Sequence, residues 1–306
     1  MAGYRFALAV LCVAGVVVAG CTGVPDREPQ VQRLEDEVSA MPGVEDFRVI
    51  YSNSVKTGSK LNVTVRMPTA SEAQIAEVAT RITVLKQDDF DGYSESTEFE
   101  IGDRLMLRFD GQLSSDRVVK RARRLRQLGS AVPKAEINWY GGELELREAP
   151  DIAGSLAAVR TEFGSEPVRV EVMPDDGPWW TVDFPFSIAQ QQRIRGQLSE
   201  LRVDVAYVRV ANGRPSGLSV GVSDPKTAYR DLNALIATMR PTREHPMSLS
   251  WRWDGSAQDD RKFQGMVHVA GCGYSNTAGE KDPERYFTQK AIDLQRRLRD
   301  EFDTCP

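Results

Sequence analysis

Residues 135–159, AEINWYGGELELREAPDIAGSLAAV, hold the architecture in miniature. Residues 135–140 and 143–147 read as two strands, because polar and apolar side chains alternate with the period of two that a half-buried strand requires. Between them Gly141-Gly142 suits a tight hairpin turn, where positive φ is needed. A helix then starts at Asp151. One hairpin followed by one amphipathic helix is the unit from which the rest of the chain can be read.

Working outward, the same grammar recurs on both sides. Towards the N-terminus the units are strands at 47–51 and 61–67 with a helix from Ser71, and strands at 97–101 and 105–109 with a helix from Ser114. Towards the C-terminus, strands at 168–173 and 180–184 precede a helix whose Ser187 and Gln190 repeat the capping box of Ser71 and Gln74. Strands at 205–210 and 218–222 flank Asn212-Gly213, and strands at 247–253 and 263–269 close the series. Asp224-Pro225 and Asp282-Pro283 read as helix starts with proline at the first position. Central apolar residues of the second strands, Val63, Leu107, Leu146, Val182, Val220 and Val267, are spaced by 44, 39, 36, 38 and 47 residues. A period of that kind is the signature of duplication. It is carried by pattern more than by identity, which is weak but visible between 63–82 and 220–239.

One hairpin with one helix cannot bury its apolar face, whereas two such units give four strands covered by two helices. The expected fold class is therefore α+β: tandem ββα repeats forming about three permuted ferredoxin-like modules, with antiparallel sheets covered by helices. The corresponding divisions are 42–133, 134–203 and 204–306. Shifting the cut by one strand gives βαββαβ modules near 60–140 and 143–210. Helices on one side leave the other sheet face open, and that face is expected to need a covering neighbour, ligand or partner.

The N-terminus carries a different signal. Arg5 supplies a charged start, residues 6–18 are apolar, and Val18-Ala19-Gly20 are small or apolar residues set directly before Cys21. This stretch resembles the lipobox of bacterial lipoproteins over its first 21 residues. The resemblance implies that residues 1–20 are a signal peptide and that Cys21 is acylated with diacylglycerol and becomes the first mature residue. It also implies a membrane partner through that lipid and an extracytoplasmic location. Each buried CH₂ adds about 0.8 kcal/mol of membrane affinity, so two chains hold where one does not. The apolar run is shorter than the roughly 20 residues of a bilayer-spanning helix. Residues 21–41 then read as a lipidated tether and a short helix with Val31, Leu34 and Val38 on one face.

Composition bounds the function. The chain has 39 basic and 44 acidic residues, and cleavage before Cys21 removes one of the basic ones. An acidic balance argues against nucleic acid, whose binding is dominated by phosphate neutralisation. With Cys12 in the leader and Cys21 acylated, Cys272 and Cys305 remain as a pair, expected to form a disulfide in an oxidising compartment. The two histidines, His245 and His268, show no metal-ligand spacing, and no cofactor motif is present.

Three patterns bear on activity. Gly217-Leu218-Ser219-Val220-Gly221 fits the nucleophile-elbow formula, which makes an envelope hydrolase the alternative function. Turn residues precede it, however, and the strand continues past Ser219, opposite to the strand–turn–helix context an elbow needs. Acidic pairs Asp88-Asp89, Asp175-Asp176 and Asp259-Asp260 fall in turn-rich segments and read as solvated loops rather than a catalytic pair across a cleft. Six cations, Arg117, Lys120, Arg121, Arg123, Arg124 and Arg126, fall within ten residues opposite the Val118, Ala122, Leu125 stripe. They suit an anionic surface or polymer. The overall acidity favours the reading that they neutralise the acidic segment 88–103. Trp179 and Trp180 point to opposite faces of a strand; Trp180 belongs to the core and Trp179 is a candidate binding aromatic. The expected function is a non-catalytic binding or assembly module of the cell envelope, with an envelope protein or polymer as partner. A lipid carrier would instead require an apolar cavity between sheet and helices.

Overall fold

A computed structural model describes residues 26–54, 56, 58–87, 89–253, 262–273 and 281–305. The chain alternates hairpins with helices. After α1 (Glu28–Ser39) come β1 (Asp46–Ser54), β2 (Gly58–Arg66) and α2 (Glu72–Lys86), then β3 (Ser94–Gly102), β4 (Leu105–Asp110) and α3 (Ser115–Ala131). The middle holds β5 (Glu136–Tyr140), β6 (Glu143–Ala149) and α4 (Ile152–Phe163), followed by β7 (Arg169–Pro174), β8 (Trp179–Asp183) and α5 (Ile188–Ser199). The last third is β9 (Asp204–Ala211), β10 (Arg214–Gly221), α6 (Ala228–Met239), β11 (Met247–Arg252), β12 (Gln264–Val269), α7 (Pro283–Tyr286) and α8 (Gln289–Phe302).

Local chemistry places most boundaries where the sequence puts them. Ser71 and Ser187 each cap a helix through a complete capping box, and the Asp151 carboxylate accepts from the Gly154 N–H at 2.7 Å. Each cap satisfies a backbone donor that the helix cannot, worth about 1 kcal/mol. Asn212 and Gly213, at φ 52° and 68°, form the two-residue hairpin loop between β9 and β10. Two helix starts differ from expectation. Asp224-Pro225 sits in a turn closed by Thr227 N–H on the Asp224 carbonyl, and α6 begins at Ala228. Asp282-Pro283 opens only a single helical turn, because Phe287 is extended; Thr288 then caps the long helix α8.

The twelve strands form one sheet in strictly sequential order. Each hairpin is antiparallel, and each helix crossover joins it to the next hairpin by a parallel pair, as at β2–β3, β4–β5, β6–β7, β8–β9 and β10–β11. The sheet is therefore mixed, where antiparallel sheets were expected. It also runs unbroken across the expected divisions at 133/134 and 203/204, through Leu105–Arg108 paired with Ile137–Tyr140 and Trp179–Val182 paired with Tyr207–Val210. The physical reason is the helix crossover, which returns the chain to the end of the sheet where the previous strand began, so that the next strand is laid beside it in parallel.

Two adjacent rows of register partners show what this does. The row Phe47, Val65, Phe99, Leu107, Trp139, Leu144, Val170, Val182, Val210 crosses nine strands with apolar side chains under the helices. The neighbouring row, on the opposite face, is Arg48, Thr64, Glu98, Arg108, Tyr140, Glu143, Arg169, Asp183. Its charges pair across strands, Arg108 with Glu98 and Arg169 with Glu143 and Asp183, and Arg108 also meets Asp110 along its own strand. Arg66 similarly meets Glu45, Glu100 and Asp103. Contrary to expectation, over these strands the open face needs no cover, because a charged, cross-paired surface is stable in water.

The last strand is closed against further pairing. Its Met266 and His268 N–H groups donate to the side chains of Gln295 and Asp303, at 2.8 and 3.1 Å, and the Ala270 N–H donates to the Phe302 carbonyl. Capping an edge in this way prevents strand addition by another chain. Just beyond it, Cys272 and Cys305 lie at disulfide distance, with Cα atoms 4.9 Å apart across a separation of 33 residues.

Candidate anion-binding site

Helix α3 starts beside the β5–β6 turn and runs over β4 and β5. Its Val118, Ala122, Leu125 and Leu128 stripe is buried, so Arg117, Lys120, Arg121 and Arg124 are left on the flank that faces that turn and the end of α4. There they line a cavity of about 240 Å³ together with Trp139, Phe163, Glu166 and Gly141-Gly142. Sequence reasoning named the four cations. It did not supply the aromatic floor, which comes from β5 and from α4.

The guanidinium groups are held on both sides. Arg121 lies 4.8 Å from the centre of the Trp139 ring and 5.2 Å from Phe109, and donates to the Gly141 carbonyl at 3.0 Å. Arg124 lies 4.1 Å from Phe163, bonds Glu166 at 2.7 Å and also reaches the Glu162 carbonyl. Arg117 lies over Phe109 at 5.5 Å from the ring centre and donates to the Gln112 carbonyl at 3.0 Å. Cation–π contacts of this kind contribute about 0.5–2 kcal/mol each. Among the described residues no carboxylate is at ion-pair distance from Arg117, Lys120 or Arg121. Burial and the neighbouring Arg117 charge hold Arg121 below its usual value. Bonding to Arg124 keeps the Glu166 carboxyl below the usual range.

The helix does not neutralise the acidic segment 88–103 in the way its composition suggests. Arg123 pairs with Glu72 and Arg126 donates to the Ile101 and Pro68 carbonyls. The acidic residues find other partners: Asp89 with Arg27, Glu95 with Lys86, Glu98 with Arg108, Glu100 with Arg48 and Arg66, and Asp103 with Arg66. Glu98 and Glu100 sit on the open face of β3, with the sheet between them and α3.

On the open side of the same β5–β6 turn lies a groove of about 700 Å³ with the opposite sign, where Glu98, Asp110, Glu136, Glu143 and Glu145 outnumber Arg108 and Arg147. Glu171, register partner of Glu145 and Thr181, is pushed above the usual carboxylate range by burial and then by the charges of Glu145 and Glu143. A carboxyl raised by folding costs nothing while protonated, and its penalty grows as the pH rises through the folded value. Glu171→Gln should therefore raise the denaturation midpoint at pH 7, and the gain should vanish as the pH falls towards 4. A gain independent of pH would refute the charge argument.

The remaining candidates are quickly placed. Trp180 is 2% exposed and Trp179 49%, so the two rings divide between core and surface as the strand alternation requires. Trp179 faces Tyr207 across β8–β9, on the open side and away from the cationic cavity. Ser219 lies within β10, with Tyr207 and Ser250 as register partners, and the His268 ring meets the Ser248 hydroxyl at 3.0 Å instead. Asp175 and Asp176 occupy an exposed turn. Cys21, the leader, Asp88, Asp259 and Asp260 lie outside the described residues. A groove of about 720 Å³ beside α1 and α2 is lined by Glu37, Glu77, Thr80 and Arg81 as well as Met41, Ala76 and Val84, on the outer row of α2 rather than between sheet and helices. Among the described residues no group of three or more His, Cys, Asp or Glu is placed to hold a metal ion, and no helix is long and apolar enough to cross a membrane. Compared with known proteins, the chain matches no family model, no curated protein and no solved structure.

Proposed function

We propose that the chain is a membrane-anchored extracytoplasmic lipoprotein whose folded part is a non-catalytic binding or assembly module of the cell envelope. Six hairpin–helix units, derived by duplication and grouped in ferredoxin-like pairs, belong to the same reading. One observation carries the binding role: Arg117, Lys120, Arg121 and Arg124 converge on a cavity where, among the described residues, Glu166 is the one acid in the lining and is already ion-paired with Arg124. Like charges brought together raise the free energy of the fold, and an anionic partner relieves it. The lipobox-like Val18–Cys21 supports the anchor, and attachment through Cys21 would raise the effective concentration of the module near an envelope target.

Mass spectrometry of the membrane fraction is expected to find a chain beginning at Cys21 with diacylglycerol on its thiol, and Cys21→Ser should take up no labelled fatty acid. An unmodified Cys21 on an intact leader would overturn the anchor. Sedimentation with isolated envelope material should be lost in a combined Arg117→Gln, Lys120→Gln, Arg121→Gln variant and kept in Ser219→Ala. The reverse pattern would favour the hydrolase.

A further inference from the structure

We propose that the cavity beside the β5–β6 turn is a site for a phosphate ester, with Arg117, Lys120 and Arg121 meeting its oxygens and Arg124 positioning the wall. This deepens the binding role argued above and rests on it.

The first argument is that the fold does not ask for these charges. Helix α5 stands in the same relation to the β9–β10 turn as α3 does to the β5–β6 turn: Arg193 donates to the Gly213 carbonyl at 2.7 Å, as Arg121 does to Gly141 at 3.0 Å. Counting from Arg193 as from Arg121, the places of Arg117, Lys120 and Arg124 are taken by Ala189, Gln192 and Gly196. One arginine therefore suffices to tie helix to turn. The other three cations are particular to α3.

The second argument is preorganisation. A guanidinium held over an aromatic ring and by one backbone carbonyl has its position fixed while further N–H donors stay available to grip an oxyanion. Arg121 and Arg117 each lie over an aromatic ring, and each is pinned by a single backbone carbonyl. Much of the side-chain ordering that a ligand would otherwise have to impose is already made. Lys120 adds a movable point charge.

The third is charge and size. Glu166 is engaged by Arg124, which leaves three cations facing the cavity without an ion-paired carboxylate among the described residues. A phosphomonoester carries close to two negative charges at neutral pH, whereas a carboxylate carries one. The cavity, about 240 Å³, is open to solvent on one side and is of a size for a phosphate with a small neighbouring group.

The test is calorimetric titration of the purified full chain in neutral detergent micelles with inorganic phosphate, glycerol phosphate and micellar phosphatidic acid. Saturable one-to-one binding that weakens with salt is expected. It should weaken at least tenfold in Lys120→Gln and in Arg117→Gln, both exposed side chains whose loss leaves the core intact, and stay unchanged in Arg123→Gln on the same helix. Binding of the two soluble probes alone assigns the site to a free phosphate ester; binding of phosphatidic acid with glycerol phosphate as competitor assigns it to a lipid headgroup. No binding of any probe overturns the phosphate site, as does equal weakening in Arg123→Gln, which would mark diffuse attraction to a basic helix. Loss of envelope sedimentation in the Lys120 variant without phosphate binding would overturn this inference alone. Phosphate binding without envelope sedimentation would overturn the module reading and leave the site standing.

Discussion

Trp251→Ala lowers the unfolding free energy by about 3–5 kcal/mol, the cost of emptying a large aromatic site in a close-packed core. Trp251 is 2% exposed and is the largest of the fully buried side chains among the described residues. The space it fills is made by Gly265, its register partner on β12: a Cβ added there would come within 2.4 Å of the indole and 2.8 Å of the Gln295 side-chain amide oxygen. Gln295 also holds the Met266 N–H at the sheet edge, so the indole and the capped edge share one neighbour. Gly265→Ala should in turn cost about 1–3 kcal/mol through overpacking. Urea denaturation followed by circular dichroism measures both. Trp179→Ala is the control, since its ring is half exposed and its loss should stay within about 0.5 kcal/mol. Equal losses for Trp251 and Trp179 would contradict the division of faces on which the fold rests.

The second large effect concerns the C-terminal clip. A crosslink closing a separation of 33 residues restricts the unfolded chain by about 3–4 kcal/mol in the chain-entropy model. Reduction of the native protein, or Cys272→Ser with Cys305→Ser, should lower stability by that amount, and a reductant should then have no further effect on the double variant. The loss should centre on α8, β12 and their contacts, because the bond ties the residues just after β12 to those just after α8. Hydrogen exchange at Met266 and His268 reports on that edge directly, as their N–H groups depend on Gln295 and Asp303 of this segment. An unchanged midpoint and unchanged exchange under reductant would show that the edge is held by packing alone.

Part of the candidate site was legible in the sequence. Six cations in ten residues stand out in any reading, and the buried stripe Val118, Ala122, Leu125 fixes which flank of α3 they occupy. What they do there was not legible. The choice between neutralising an acidic segment and framing a cavity depends on which side of the sheet Glu98 and Glu100 lie and on which rings stand opposite Arg121 and Arg124. Trp139 and Phe163 belong to the following unit, and no local pattern announces that they meet α3.

The sequence by itself determined the hairpin–helix grammar, the caps at Ser71 and Ser187, the helix start at Asp151, the opposite facing of Trp179 and Trp180, and the pairing of the two late cysteines. These follow from periodicity, from backbone donors that need an acceptor, and from elimination, all of which act over a few residues or a count. Tertiary structure alone decided that successive hairpins join by parallel pairs into one twelve-stranded sheet, that α6 starts at Ala228, and that arginines held over aromatic rings surround a cavity. A strand's alternation is the same whether its neighbour runs parallel or antiparallel, so the joins were settled by the helix crossovers and by the burial each helix gains on the shared face.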